Sequence, residues 1–157
     1  MDYITLKWIH VVASTLLFGT GVGSAFYLLA ATLTRDTHAV AVTSRHVVIA
    51  DWLFTTSTAI LQPLTGYMLV RTANFPWQAD WLKFSVILYV VAIACWLPVV
   101  WLQMRMRNVA AAAAGAGAPL PPAYWRYFRW WFVLGVPALF AFLAIFWLMI
   151  AKPAELF

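Results

Sequence analysis

Four uninterrupted apolar runs decide what this chain can become: Ile4 to Leu33, Val47 to Val70, Trp81 to Leu102 and Trp130 to Ile150. A helix needs roughly 20 residues to cross a hydrocarbon core of about 30 Å, and each run is long enough. Continuous runs read as helices, because barrel strands are shorter and alternate in polarity. With 65% of its residues hydrophobic and only 10% charged, the chain lacks the polar surface that a water-soluble globule needs. The expectation is an all-α, four-transmembrane-helix bundle forming a single domain over 1–157, with helices at about 4–33, 45–71, 80–107 and 123–151. No basic segment and small-residue cleavage site frame the first span, so it reads as retained rather than removed.

A net charge of +5 raises the question of nucleic acid, and the distribution of that charge answers it. Arg35, Arg45, Arg105, Arg107, Arg126 and Arg129 fall at one membrane face. Lys7, Arg71, Lys83 and Lys152 fall at the other, where Asp2, Asp80 and Glu155 offset them. This is a positive-inside pattern, not a nucleic-acid footprint, and it places both termini on the external, periplasmic side of a bacterial inner membrane. Trp77, Trp81, Trp125, Trp130 and Trp147 sit near span ends as an aromatic belt. The lone Cys95 lies mid-span, has no intrachain partner for a disulfide, and reads as a small buried apolar residue.

The connections carry little chemistry. Thr34 to Thr43 reads as a short cytoplasmic turn with a solvated His38, and Arg71 to Asp80 as a compact external loop. The stretch from Asn108 through AAAAAGAGAPLPP reads as a flexible cytoplasmic linker. Pro63, Pro98 and Pro137 interrupt the second, third and fourth spans and predict kinks. The two helical hairpins show no internal repeat, which argues against a transporter built from two halves.

Inside hydrocarbon each polar side chain seeks a partner, so its angular position is informative. At about 100° per residue, Asp51, Thr55, Thr58, Gln62 and Thr65 share one narrow face of the second helix. His10, Ser14, Gly21 and Ser24 share a face of the first, with Leu17 between them. Antiparallel packing of these faces predicts His10 level with Gln62 or Thr65, and Ser24 nearer Asp51. Thr15, Gly19 and Gly23 lie opposite; the GxxxG pair suits tight packing within the bundle or a homodimer contact.

Three roles are open to a neutral imidazole at the depth of His10: haem ligation, proton relay, or a hydrogen bond to the polar face. Lys83, Gln62 or a second protomer's His10 would supply the other axial ligand, while His46 lies at the opposite membrane face. Trp8, Phe18, Tyr89 and Trp96 are candidate walls of a cofactor slot. Asp51, the sole acidic residue within a span, reads either as an ion-pair partner of Arg45, Arg126 or Arg129, or as the start of a proton path. No Cys/His metal cluster, phosphate-binding glycine loop or Ser/His/Asp triad is present in the sequence.

The stretches LLFGTGVGSAFYLLAA, ADWLFTTSTAILQPLTGYMLV, CWLPVVWLQMRMRN, GAPLPPAYWRYF and AIFWLMIAKP resemble a bacterial family of predicted integral membrane proteins of unknown function. More distantly, LKWIHVV around His10, FYL at Phe26 to Leu28 and WLK at Trp81 to Lys83 resemble the HemJ-type protoporphyrinogen oxidases. That second resemblance implies haem b or a related porphyrin held by His10, with Lys83 as a further ligand, and electron transfer or porphyrin oxidation into the quinone pool. Two alternatives stand beside it: an accessory or assembly subunit of a larger membrane complex, and a solute or proton channel along the polar seam.

Overall fold

The computed structural model describes residues 2–153; Glu155, one of the acids counted above, lies outside them. Four long helices follow one another: α1 (Tyr3–Thr34), α2 (Thr37–Thr72), α3 (Asp80–Gly115) and α4 (Pro122–Ala151). All four are long and apolar enough to cross a membrane, and no strand occurs among the described residues.

Local chemistry explains each turn. Asp2 caps α1, accepting from the Thr5 amide at 2.7 Å and the Thr5 hydroxyl at 3.1 Å. These bonds, the backbone one foremost, hold its carboxyl below the usual carboxylate range. The α1–α2 hairpin needs only two residues. Arg35 takes the left-handed conformation (φ 59°) that ends α1, and Asp36 caps α2 by accepting from the His38 and Ala39 amides at 2.8 and 3.1 Å. His38 is exposed, as expected, but the connection is shorter than the expected Thr34 to Thr43, and His38 lies in the first turn of α2.

At the opposite end Val70, Trp81, Leu82 and Leu148 form a small buried cluster beneath Phe75. Lys152 closes it, with its ammonium 4.5 Å from the Phe75 ring centre and 5.4 Å from that of Trp81.

The largest apolar cluster lies towards the arginine-rich end: Leu28, Val40, Val47, Val99, Leu102, Met106, Ala110, Tyr124 and Trp131. Here the structure corrects the expected flexible linker. The chain from Asn108 to Gly115 continues α3, and only residues 116–121 form a loop. Alanine is the strongest helix former, and Ala110 and Ala113 are buried against the neighbouring helices, so the alanine run extends the helix rather than ending it. A 36-residue helix is about 54 Å long, so α2 and α3 exceed the hydrocarbon thickness. A buried Tyr124 hydroxyl ties this end together, 2.8 Å from Thr32 Oγ1, whose own hydrogen goes to the Leu28 carbonyl at 2.7 Å.

Two backbone irregularities lie in α2. Residues Asp51–Thr55 form a π-helical turn between α-helical segments Thr37–Ala50 and Thr56–Thr72. Further along, Pro63 lacks the amide hydrogen that would reach the Ala59 carbonyl. The Tyr89 hydroxyl of α3 donates to that carbonyl instead. A proline expected only to kink a helix thereby creates the acceptor for an interhelical hydrogen bond.

Thr15 and Gly19 are exposed, Gly23 is half-buried, and a Cβ added at Gly19 or Gly23 would meet nothing within 4 Å. The GxxxG pair therefore makes no tight contact within the bundle, contrary to the packing expected of it.

Candidate functional site

The two polar faces do meet, and they separate into two clusters. In the first, His10 Nδ1 lies 2.7 Å from Thr65 Oγ1. The Gln62 amide satisfies its neighbours in one orientation. Its nitrogen donates to His10 Nδ1 at 2.8 Å and faces the His10 carbonyl at 3.3 Å, while its oxygen accepts from the Ser14 amide at 3.0 Å. The Ser14 hydroxyl stays on its own helix, donating to the Val11 carbonyl at 2.7 Å. Gly66 completes the fit, since a Cβ there would stand 3.4 Å from His10 Cε1.

With the Gln62 amide donating to Nδ1, that nitrogen is an acceptor and the neutral ring carries its proton on Nε2. A nitrogen that ligates iron needs a free lone pair; here Gln62 occupies that of Nδ1, and Nε2 carries the hydrogen. The other expected ligands do not converge either. Gln62 is spent on His10 and Ser14, and Lys83 is exposed with its ammonium 3.5 Å from Asp80. Trp8 is also exposed, Tyr89 is bound to α2, and His46 is exposed near the far end. The residues present do not fit a haem held by His10.

The second cluster lies against a cavity of about 340 Å³ lined by all four helices and open on one flank. Its walls are apolar and include Phe18, Ala25, Ile93, Val99, Leu139 and Phe142. Asp51 and Ser24 both line it, as the antiparallel register predicts. Asp51 is buried on the π-helical turn. Thr55 donates to its Oδ1 at 3.0 Å, and the Thr56 hydroxyl fills the widened turn by donating to the Asp51 carbonyl at 2.9 Å. π-helical turns within α-helices recur at functional sites.

The expected ion pair of Asp51 does not form; among the described residues the carboxylate meets no arginine. Arg45, Arg126 and Arg129 are exposed, where headgroup and water solvate them at less cost than a dry interior would. Instead the Gln103 side chain stands beside Asp51.

Four buried polar atoms around this cavity find no hydrogen-bond partner among the described residues: Asp51 Oδ2, Gln103 Oε1, Trp96 Nε1 and Trp131 Nε1. All four residues line the cavity. Sequence reasoning reached Asp51, Trp96 and, on the polar face of α1, Gly21 and Ser24, but missed Gln103, Trp131 and the small wall residue Gly135. Gln103 stands one position past Leu102, where the apolar run was judged to end. Its signal was a neutral amide next to a span that the helix prolongs.

The model of a family described as predicted integral membrane proteins (DUF2269) matches residues 4–153. The chain belongs to that family. The match spans all four helices and therefore both polar clusters. No curated protein and no solved structure matches the chain. Membrane residence follows from the family and from the four spanning helices, and the chain is in contact with a lipid bilayer.

Proposed function

We propose that this integral membrane protein binds a lipid-soluble small molecule in the cavity between its four helices. The observation that carries this reading is the apolar cavity of about 340 Å³ lined by all four helices, with the buried Asp51 on its π-helical turn among the lining residues. Buried polar groups are nearly always hydrogen-bonded, and leaving one unmade costs about 1–3 kcal/mol. Asp51 Oδ2, Gln103 Oε1 and the indole nitrogens of Trp96 and Trp131, on residues that line the void, lack such partners among the described residues, which marks this part of the bundle as the less completely satisfied one. The cavity volume is at the lower end of that of small-molecule sites, roughly 300–1,000 Å³. The His10 cluster supports a structural role, fastening α1 to α2, rather than the cofactor role its depth first suggests.

Extraction of the purified protein with apolar solvent, followed by mass spectrometry, tests this reading. Gly135 lines the cavity and a Cβ there meets nothing within 4 Å, so Gly135→Leu fills the void without displacing a neighbour. The wild type is expected to retain a lipid-soluble compound at near-equimolar amount, reduced at least tenfold in Gly135→Leu. Equal content in the two proteins would overturn the proposal.

A further inference from the structure

What the cavity can hold follows from what its wall presents. The polar groups on its lining residues are engaged or covered. The Ser24 hydroxyl donates to the Gly21 carbonyl at 3.2 Å, Thr55 donates to Asp51, and Asp51 Oδ2, Gln103 Oε1 and the two indole nitrogens are covered by neighbouring atoms. The surface left to an occupant is hydrocarbon from residues such as Leu17, Ile93, Leu139 and Phe142. A polar head at this depth would give up its hydrogen bonds to water and find none in return, so the space suits a bare hydrocarbon chain.

The way in lies on the flank of the bundle. Val22 and Phe26 of α1 and Phe132 and Val136 of α4 line the cavity yet are 41, 62, 48 and 37% exposed. Residues that are both cavity wall and outer surface mark a mouth, and this one faces acyl chains. Away from the arginine-rich end it is shut by rings, where Phe18 packs edge-on against Phe142 and Phe146 with centroids 6.5 and 5.2 Å apart.

Towards the arginine-rich end the mouth continues as a groove. At about 100° per residue, Leu33 shares a stripe of α1 with Val22 and Phe26, and Trp125 and Arg129 share a stripe of α4 with Phe132 and Val136. Two guanidinium groups head this groove. Arg35, at the end of α1, stands over the Trp125 ring at 6.0 Å from its centre, and Arg129 is exposed one turn from Phe132. Neither is in an ion pair among the described residues, and Asp36 beside Arg35 is turned to the α2 amides that it caps. Along the helices Arg129 lies about 5 Å from Phe132 and Arg35 about 14 Å from Phe26, within the reach of an acyl chain. Arginine pairs bidentately with phosphate, and basic sites between membrane helices take anionic lipid heads.

We propose that the cavity holds one acyl chain of an anionic phospholipid, threaded sideways between α1 and α4, with the phosphate on Arg35 and Arg129 and the second chain left in the bilayer. The inference rests on the cavity being a ligand site and names what fills it.

Native mass spectrometry of the full chain, delipidated in detergent and titrated with dioleoyl-phosphatidylglycerol, dioleoyl-phosphatidylcholine or oleate, tests it. The wild type is expected to take up one phosphatidylglycerol saturably, at least tenfold more tightly than the other two probes. Gly135→Leu should weaken that binding at least tenfold. Arg35→Gln combined with Arg129→Gln should bind phosphatidylglycerol no better than phosphatidylcholine, whereas Arg107→Gln, which removes a guanidinium bonded to Asn108 on α3, should match the wild type. Equal helicity of the variants by circular dichroism separates lost binding from lost fold. An equal loss in Arg107→Gln would mean general charge attraction and overturn the placement of the phosphate. Phosphatidylcholine or oleate binding as tight as phosphatidylglycerol, and lost in Gly135→Leu, would overturn the anionic phospholipid while leaving the cavity a ligand site. Phosphatidylglycerol binding that survives Gly135→Leu would overturn the threading of its chain. No saturable binding at all would overturn the inference alone if apolar extraction recovers a compound that Gly135→Leu lacks, and the ligand site with it if extraction recovers none.

Discussion

The His10 cluster and the Asp51 cluster lie on the same pair of helices and are built from similar residue types, yet they are finished in opposite ways. Around His10 the imidazole, the Gln62 amide and the Thr65 hydroxyl satisfy one another, and Gly66 closes on the ring. Around Asp51 one carboxylate oxygen is satisfied by Thr55, while the other, with Gln103 Oε1 and two indole nitrogens, finds no partner on residues that line a void. Polarity within a span therefore does not by itself mark a site. A satisfied cluster stabilises the bundle, whereas an unsatisfied one beside a cavity costs stability.

The comparison breaks most readily at Gln62. Gln62→Leu should lower stability in detergent by about 2 kcal/mol, because the imidazole loses a donor while still buried between helices. Thermal unfolding monitored by circular dichroism would show it, and an unchanged midpoint would remove the distinction between the clusters. Ligand content, corrected for folded protein, should not change.

At the second cluster the sign should differ. Asp51→Leu removes a buried carboxylate that is only half satisfied, and Thr55 can turn its hydroxyl back to a carbonyl of its own helix, as Thr58 already does. The ligand-free protein should gain up to about 1 kcal/mol, since an apolar residue replaces a poorly compensated polar one. Destabilisation by more than about 1 kcal/mol would show that the carboxylate holds the fold together.

Tyr89→Phe lies between these cases. It leaves the Ala59 carbonyl, already deprived of its helical donor by Pro63, with no replacement, and should cost about 1 kcal/mol. A midpoint equal to wild type would mean that water reaches this carbonyl and that the seam between α2 and α3 is wetter than its packing indicates.

These contrasts separate what was legible in the sequence from what was not. The spans were legible because length and hydropathy alone decide them, and the meeting of His10 with Gln62 and Thr65, and the shared level of Ser24 and Asp51, followed from helical periodicity. Whether a polar group is satisfied depends on angles and distances between helices that are remote in sequence, so His10 looked more functional than Gln103. The π-helical turn at Asp51 changes hydrogen-bond register without changing residue type, and no periodicity reports it. The alanine run after Asn108 misled because its composition is shared by linkers and strong helices, and only burial of Ala110 and Ala113 distinguishes them.

Gly135→Leu should have the smallest effect on stability and a complete effect on binding. Position 135 is helical and its would-be Cβ meets nothing, so the substitution adds helix propensity, worth under about 1 kcal/mol, and adds apolar contacts across the cavity. The expected midpoint is equal to wild type or slightly higher in ligand-free protein. A bound ligand would stabilise the wild type alone, in proportion to the logarithm of its concentration, so the order of the two midpoints should invert as ligand is added. A Gly135→Leu protein that instead unfolds well below wild type without ligand would mean that the four helices close on this space when empty, and the cavity would then be a void that packing removes rather than a site that a ligand fills.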